Sequence, residues 1–159
     1  MVFPRGGRYA RHTITAVTLV LVGACATPQA NVVQVSVGRG TRPDIVLKLT
    51  DILNRQGYTV QERLEAGGVI QYRTSWETRA PFEDEKGRGA VECRTRLTFE
   101  ARRGGGETYT LTLRAENTAE RAGSEGEWGA LPATPMFRDH IRDVAEGIAL
   151  ELDVGVRTR

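Results

Sequence analysis

The chain has 159 residues, of which 22 are Lys or Arg and 20 are Asp or Glu, and it is 40% hydrophobic, 26% charged and 6% aromatic. That length suits one ordinary domain and is short for two, while the near-average charged and apolar fractions argue against wholesale disorder, a collagen-like rod or a coiled coil. The formal charge of +2 arises in the first 24 residues, which carry Arg5, Arg8 and Arg11 and no acid; beyond them 19 basic residues face 20 acidic ones, too even a balance for a general nucleic-acid surface.

Met1 to His12 hold those three arginines and a histidine, and Thr13 to Ala24 then run twelve residues without a formal charge. A basic start followed by a short apolar stretch is the layout of a secretory signal peptide, and twelve residues fall short of the ~20 that cross a bilayer as a helix. The stretch ends in Leu21-Val22-Gly23-Ala24-Cys25. Small residues before a cysteine, directly after an apolar core, resemble the lipobox of bacterial lipoproteins, with Val22 where Leu is commonest in the family.

The resemblance implies that residues 1–24 are removed and that Cys25 becomes an acylated N-terminus. Residues 25–31 then form a tether, residues 32–154 a single periplasmic domain and residues 155–159 a tail. Several acyl chains anchor a protein stably where one holds it only marginally. Ala26 stands where an Asp would imply inner-membrane retention, so the resemblance points to the periplasmic face of the outer membrane. An ordinary cleaved signal peptide with a chance cysteine, or an uncleaved anchor, are the readings that compete with it.

In the expected mature chain, Val33, Val35 and Val37 alternate along a strand from Val32 to Val37 that ends at Gly38. Thr41-Arg42-Pro43-Asp44 reads as a helix start: Thr41 caps free N–H groups, Pro43 fits the first turn and Asp44 complements the positive helix end. Ile45, Val46, Leu49, Ile52 and Leu53 form one apolar stripe, and Gly57 ends the helix.

Strands are expected over Tyr58 to Leu64, Val69 to Arg79, Val91 to Ala101 and Thr108 to Glu116, joined by glycine-rich turns at Gly67-Gly68 and Gly104-Gly105-Gly106. Alternation in the second of these puts Tyr72, Thr74, Trp76 and Thr78 on the core side, and Arg73, Glu77 and Arg79 on the polar side. Residues 80–89, with Pro81 and the acidic run Glu83-Asp84-Glu85, read as a solvated loop, and 117–133 as a long polar one. Thr134-Pro135 opens a last helix with the stripe Phe137, Ile141, Val144, Ile148 and Leu152; Gly147 weakens it by roughly 1 kcal/mol and suggests close packing on the sheet. The expected fold is therefore α+β, a two-layer sandwich of a mostly antiparallel five-stranded sheet with two helices on one face, in the order β-α-β-β-β-β-α.

The inventory for chemistry is small. One histidine beyond the leader, His140, does not make a multi-histidine metal site, and Cys93 has no disulfide partner in the chain once Cys25 is acylated. Cys93 shares parity with Val91, Thr95, Leu97 and Phe99, which suits a buried, inert thiol rather than a reactive one. No nucleophile elbow, phosphate loop or dinucleotide fingerprint is present, and Glu83-Asp84-Glu85 lacks the spacing of a calcium loop. The reading is a non-catalytic protein, with no catalytic, cofactor or metal residue assigned.

What remains is surface. Arg73, Arg94, Arg96 and Arg114 sit in opposed rows with glutamates on the polar sheet face, either as modest cross-strand pairs or as a platform for phosphate or an acidic partner. Phe82 and Trp128 fall in loops, where an aromatic anchors a partner or tucks beneath as satellite core. From Asp44–Gln56 to the terminal helix Met136–Leu152, the order of elements is similar to lipopolysaccharide-assembly lipoproteins and to the helix-grip domains of the barrel-assembly machinery. That similarity is one of pattern. It implies a lipid-anchored adaptor or assembly factor held to the membrane by its acyl chains and docked on an envelope protein partner. The alternative is a binder of a small apolar ligand or lipid between helices and sheet.

Overall fold

The structure, a computed structural model, describes residues 30–153. The leader, Cys25 and the 155–159 tail lie outside the described residues. The chain folds as an α+β domain: β1 (Val32–Thr41), α1 (Arg42–Arg55), β2 (Val60–Ala66), β3 (Val69–Thr74), β4 (Glu77–Arg79), α2 (Glu83–Lys86), β5 (Ala90–Arg103), β6 (Thr108–Arg121), β7 (Gly129–Ala130) and α3 (Pro135–Asp153). The sheet is open and antiparallel, with the long strands in the order β1-β6-β5-β3-β2; β4 pairs with β5 and β7 with β6. Five strands were expected and seven are present among the described residues, because the Val69–Arg79 stretch is two strands and the 117–133 segment contributes the end of β6 and all of β7.

The helices begin where their caps dictate. The Thr41 hydroxyl accepts the Asp44 N–H at 3.4 Å, and Pro43 occupies the first turn of α1. At α3, Thr134 Oγ1 accepts the Phe137 N–H at 3.2 Å, so this buried threonine caps the helix from within the core. Ile45, Leu49, Ile52 and Leu53 of α1 and Phe137, Ile141, Ala145, Ile148 and Leu152 of α3 join Tyr72, Leu97, Phe99, Leu111 and Leu113 of the sheet in one buried cluster. The opposite helix surface leaves Leu47 72% and Leu150 69% exposed. Gly147 makes its close approach to α1 rather than to the sheet: a Cβ there would lie 3.1 Å from Gln56 Nε2.

The decisive irregularity is between β3 and β4. Arg73 lies opposite Thr98 of β5, and Glu77 opposite Thr95, so four steps on one strand match three on the other. The extra residue falls at Ser75-Trp76, where Ser75 N donates to Thr59 O at 2.9 Å. A single inserted residue reverses which face every later side chain meets. Trp76 and Thr78 therefore lie on the wet face and Glu77 and Arg79 on the helix side, the reverse of strict alternation.

Candidate functional site

The bulge creates two clusters on opposite faces of the same strands. On the helix side Arg79 pairs across β5 with Cys93 and points toward α2, a single-turn helix in the segment expected to be a solvated loop. There Glu85 is fully buried. Its Oε1 accepts from Arg79 Nη2 at 2.7 Å and Asn117 Nδ2 at 2.8 Å, and its Oε2 accepts from Arg79 Nη1 at 2.7 Å and from the Phe82 N–H at 2.9 Å. Arg79 also donates through Nε to Thr95 Oγ1 and through Nη2 to Asn117 Oδ1, and its guanidinium lies over the Phe82 ring at 4.3 Å and the Phe137 ring at 5.2 Å.

Burial alone pushes the Glu85 carboxyl up, but the Arg79 guanidinium, the Phe82 N–H and the Asn117 amide outweigh it and hold the group below the usual carboxylate range. The Cys93 thiol, 3.5 Å from Glu85 Oε2, is pushed up to about 12 by burial and by that carboxylate. His140 stands 3.5 Å from the Tyr58 hydroxyl and 5.5 Å from the Phe82 ring, and burial lowers its pKa, with Arg79 acting in the same direction. Every oxygen of Glu85 is spoken for, so this cluster staples the 80–89 segment to the sheet. Phe82 belongs to it, as a partly buried aromatic against the main core, not as an exposed anchor.

The wet face carries the other cluster. The Arg94 guanidinium lies 4.7 Å from the Trp76 ring and 4.4 Å from the Trp128 ring, between β4 and the loop leading to β7. Arg96 also lies over Trp76, at 4.5 Å. Arg94 Nε donates to Thr118 Oγ1 at 3.1 Å, and Arg96 Nη2 meets Glu116 at 2.7 Å. Partial burial lowers the Arg94 pKa, with the neighbouring Arg96 charge adding to the effect.

Of the surface candidates, Arg94, Arg96 and Trp128 thus converge on one platform, and Trp76 completes it. The other two arginines stand apart: Arg73 faces Glu62 at 3.3 Å toward the β2 edge, and Arg114 lies 3.8 Å from Glu116. No protein-family model matches the chain, and no curated protein does either. Its chemistry has to be read from the site itself.

Two conjugated rings around one guanidinium hold it in a fixed plane, and each cation–π contact contributes roughly 0.5–1 kcal/mol at a surface site. A guanidinium so held presents its remaining N–H groups as a fork for a planar anion. Among the described residues no three His, Cys, Asp or Glu side chains converge as a metal site, and no helix is long and apolar enough to cross a membrane. Sequence reasoning assigned Trp76 to the core because alternation was carried straight through Ser75; the residue types at 74–76 give no sign of the inserted step.

Proposed function

We propose that this protein is a lipid-anchored domain on the periplasmic face of a bacterial outer membrane, acting as a non-catalytic adaptor or assembly factor. Cys25 carries the acyl chains, and the domain is a two-layer body with both long helices on one sheet face. The observation that carries the adaptor reading is the Trp76–Arg94–Trp128 platform, an assembled contact surface on an open sheet face. Leu47 projects from α1, and Leu150 projects from α3, where it also lines a groove against β1. Large exposed apolar side chains beside polar ones suit partner contact.

The test is photo-crosslinking in a bacterial host, with the photoreactive residue at Trp128 in one variant and at Leu150 in another. The adaptor reading expects a discrete protein adduct from at least one position in membrane fractions. Two silent positions, or a chain recovered without acylation at Cys25, would overturn it. One observation favours the alternative of a small apolar ligand: a groove of about 410 Å³ at the rim between β1 and α3, lined in part by Val37, Leu111, Ala149 and Leu152. Native mass spectrometry after gentle purification separates the two, since only the ligand binder retains a small apolar molecule.

A further inference from the structure

We infer that the Trp76–Arg94–Trp128 platform is a clamp for the phosphate of a phospholipid headgroup, and that it seats the sheet face on the bilayer holding the protein's own lipid anchor. The inference rests on the lipid-anchor reading proposed above.

Arg94 differs from the other arginines on its face. Arg73 is matched by Glu62, Arg96 and Arg114 by Glu116, and Arg102 by Glu100. Arg94 has no carboxylate partner among the described residues, and its only hydrogen bond there is the one from Nε to Thr118. Its two terminal nitrogens have no hydrogen-bond partner among the described residues, and its guanidinium lies over two indoles. That combination suits the headgroup layer: indole rings favour the membrane–water interface, and a guanidinium fork matches phosphate oxygens.

The path of the chain fixes which end of the sheet is within reach. Asn31 O accepts from Asn117 N at 3.0 Å, Val32 is registered opposite Glu116, and Glu116 is opposite Arg96. Two strand spacings, or about 10 Å, separate the start of β1 from the strand that carries Arg94 and Arg96. Only four residues lie between Cys25 and Ala30, and even fully extended the five steps from one to the other span no more than about 17 Å. The acyl chains therefore hold this end of the sheet, and the platform with it, beside the headgroups.

The other arginines of the face are paired, and Glu92 and Glu120 stand opposite each other beside Arg94 without an ion pair among the described residues, so the face has little attraction for a membrane met from bulk solution. Tethering makes the single phosphate contact intramolecular, at an effective concentration on the order of millimolar, and a weak contact is then occupied. Anchored protein should seat on lipid; the same domain without its anchor should not.

The sequence holds two tryptophans in all, and both are in the platform, so intrinsic fluorescence reads it directly. The full-length acylated protein, with its acylation verified by mass, is reconstituted in vesicles of phosphatidylethanolamine and phosphatidylglycerol containing a lipid with a spin label on the headgroup. The expected result is strong quenching, greater than by a lipid labelled deep in the acyl chain. Arg94→Gln should lose most of it and Arg102→Gln, at a paired arginine, should keep it. Trp76→Phe and Trp128→Phe should each leave a quenched signal from the other ring.

Acylated protein whose emission ignores the headgroup label, or Arg94→Gln quenched as strongly as the parent, overturns the clamp and leaves the anchor standing. An unquenched platform that instead gives a protein adduct at position 128 assigns Arg94 to a partner's carboxylate. Absent acylation in the mass spectrum removes the anchor and the clamp together, a failure distinct from the others.

Discussion

The Cys93 thiol lies within the sheet's helix-side surface, next to a carboxylate that cannot leave. Burial and the Glu85 charge both favour the protonated thiol, which keeps its pKa near 12 and its thiolate scarce at neutral pH. In the acylated protein, or in Cys25→Ser, Cys93 should therefore react with a thiol reagent only as fast as the domain opens. Rapid stoichiometric labelling of folded protein would contradict this. Alternation within β5 made this placement readable, since Cys93 shares a face with Leu97 and Phe99. Arg79 was not readable in the same way, because its face depends on an insertion three to four residues upstream.

At the scale of elements, the Ser75-Trp76 bulge decides the character of both sheet faces. Deleting Ser75 would match the two strands step for step, and Trp76 and Arg79 would keep the faces they have. The expected outcome is a domain that still unfolds cooperatively, with a denaturant midpoint lowered modestly by the loss of the Ser75 hydrogen bond to Thr59. Loss of the cooperative transition would show that the inserted residue does more than set which face Arg79 meets. Helix limits were legible, because caps and punctuation act over a few residues: Thr41, Pro43 and Thr134-Pro135 mark starts wherever they occur. The segment 80–89 was not. Its acidic run reads as solvated, yet Glu85 turns inward because Arg79 and Asn117, six and 32 residues away, meet it there.

For the whole molecule, Glu85 joins parts that the chain keeps far apart. Through Arg79 and Asn117 it links β4, α2 and β6, and Arg79 in turn covers Phe137 at the start of α3. Glu85→Gln leaves the Arg79 charge without its partner, and breaking a buried pair in this way costs about 3–5 kcal/mol. The pH dependence follows from the direction of the shift. The folded pKa of Glu85 lies below its unfolded value of about 4.3, so its contribution is complete above that pH and is lost as pH falls through the folded pKa. Denaturation titrated across the acid range should show this loss in the parent and a shallower decline in Glu85→Gln; equal slopes would remove Glu85 as the cause.

What the sequence by itself determined was local and periodic. The apolar stripes of the two long helices, the alternation of β1, β5 and β6, and the α+β class follow from which side chains recur at spacings of two or near 3.6, and a single chain carries that information. The tertiary structure decided which arginine is buried with a carboxylate and which stands between two indoles. Arg79 and Arg94 are the same residue type on neighbouring strands, each with a threonine on one side and a small apolar residue on the other. Their fates differ because pairing in a sheet counts residues on two strands at once, and one extra residue on one of them exchanges inside for outside.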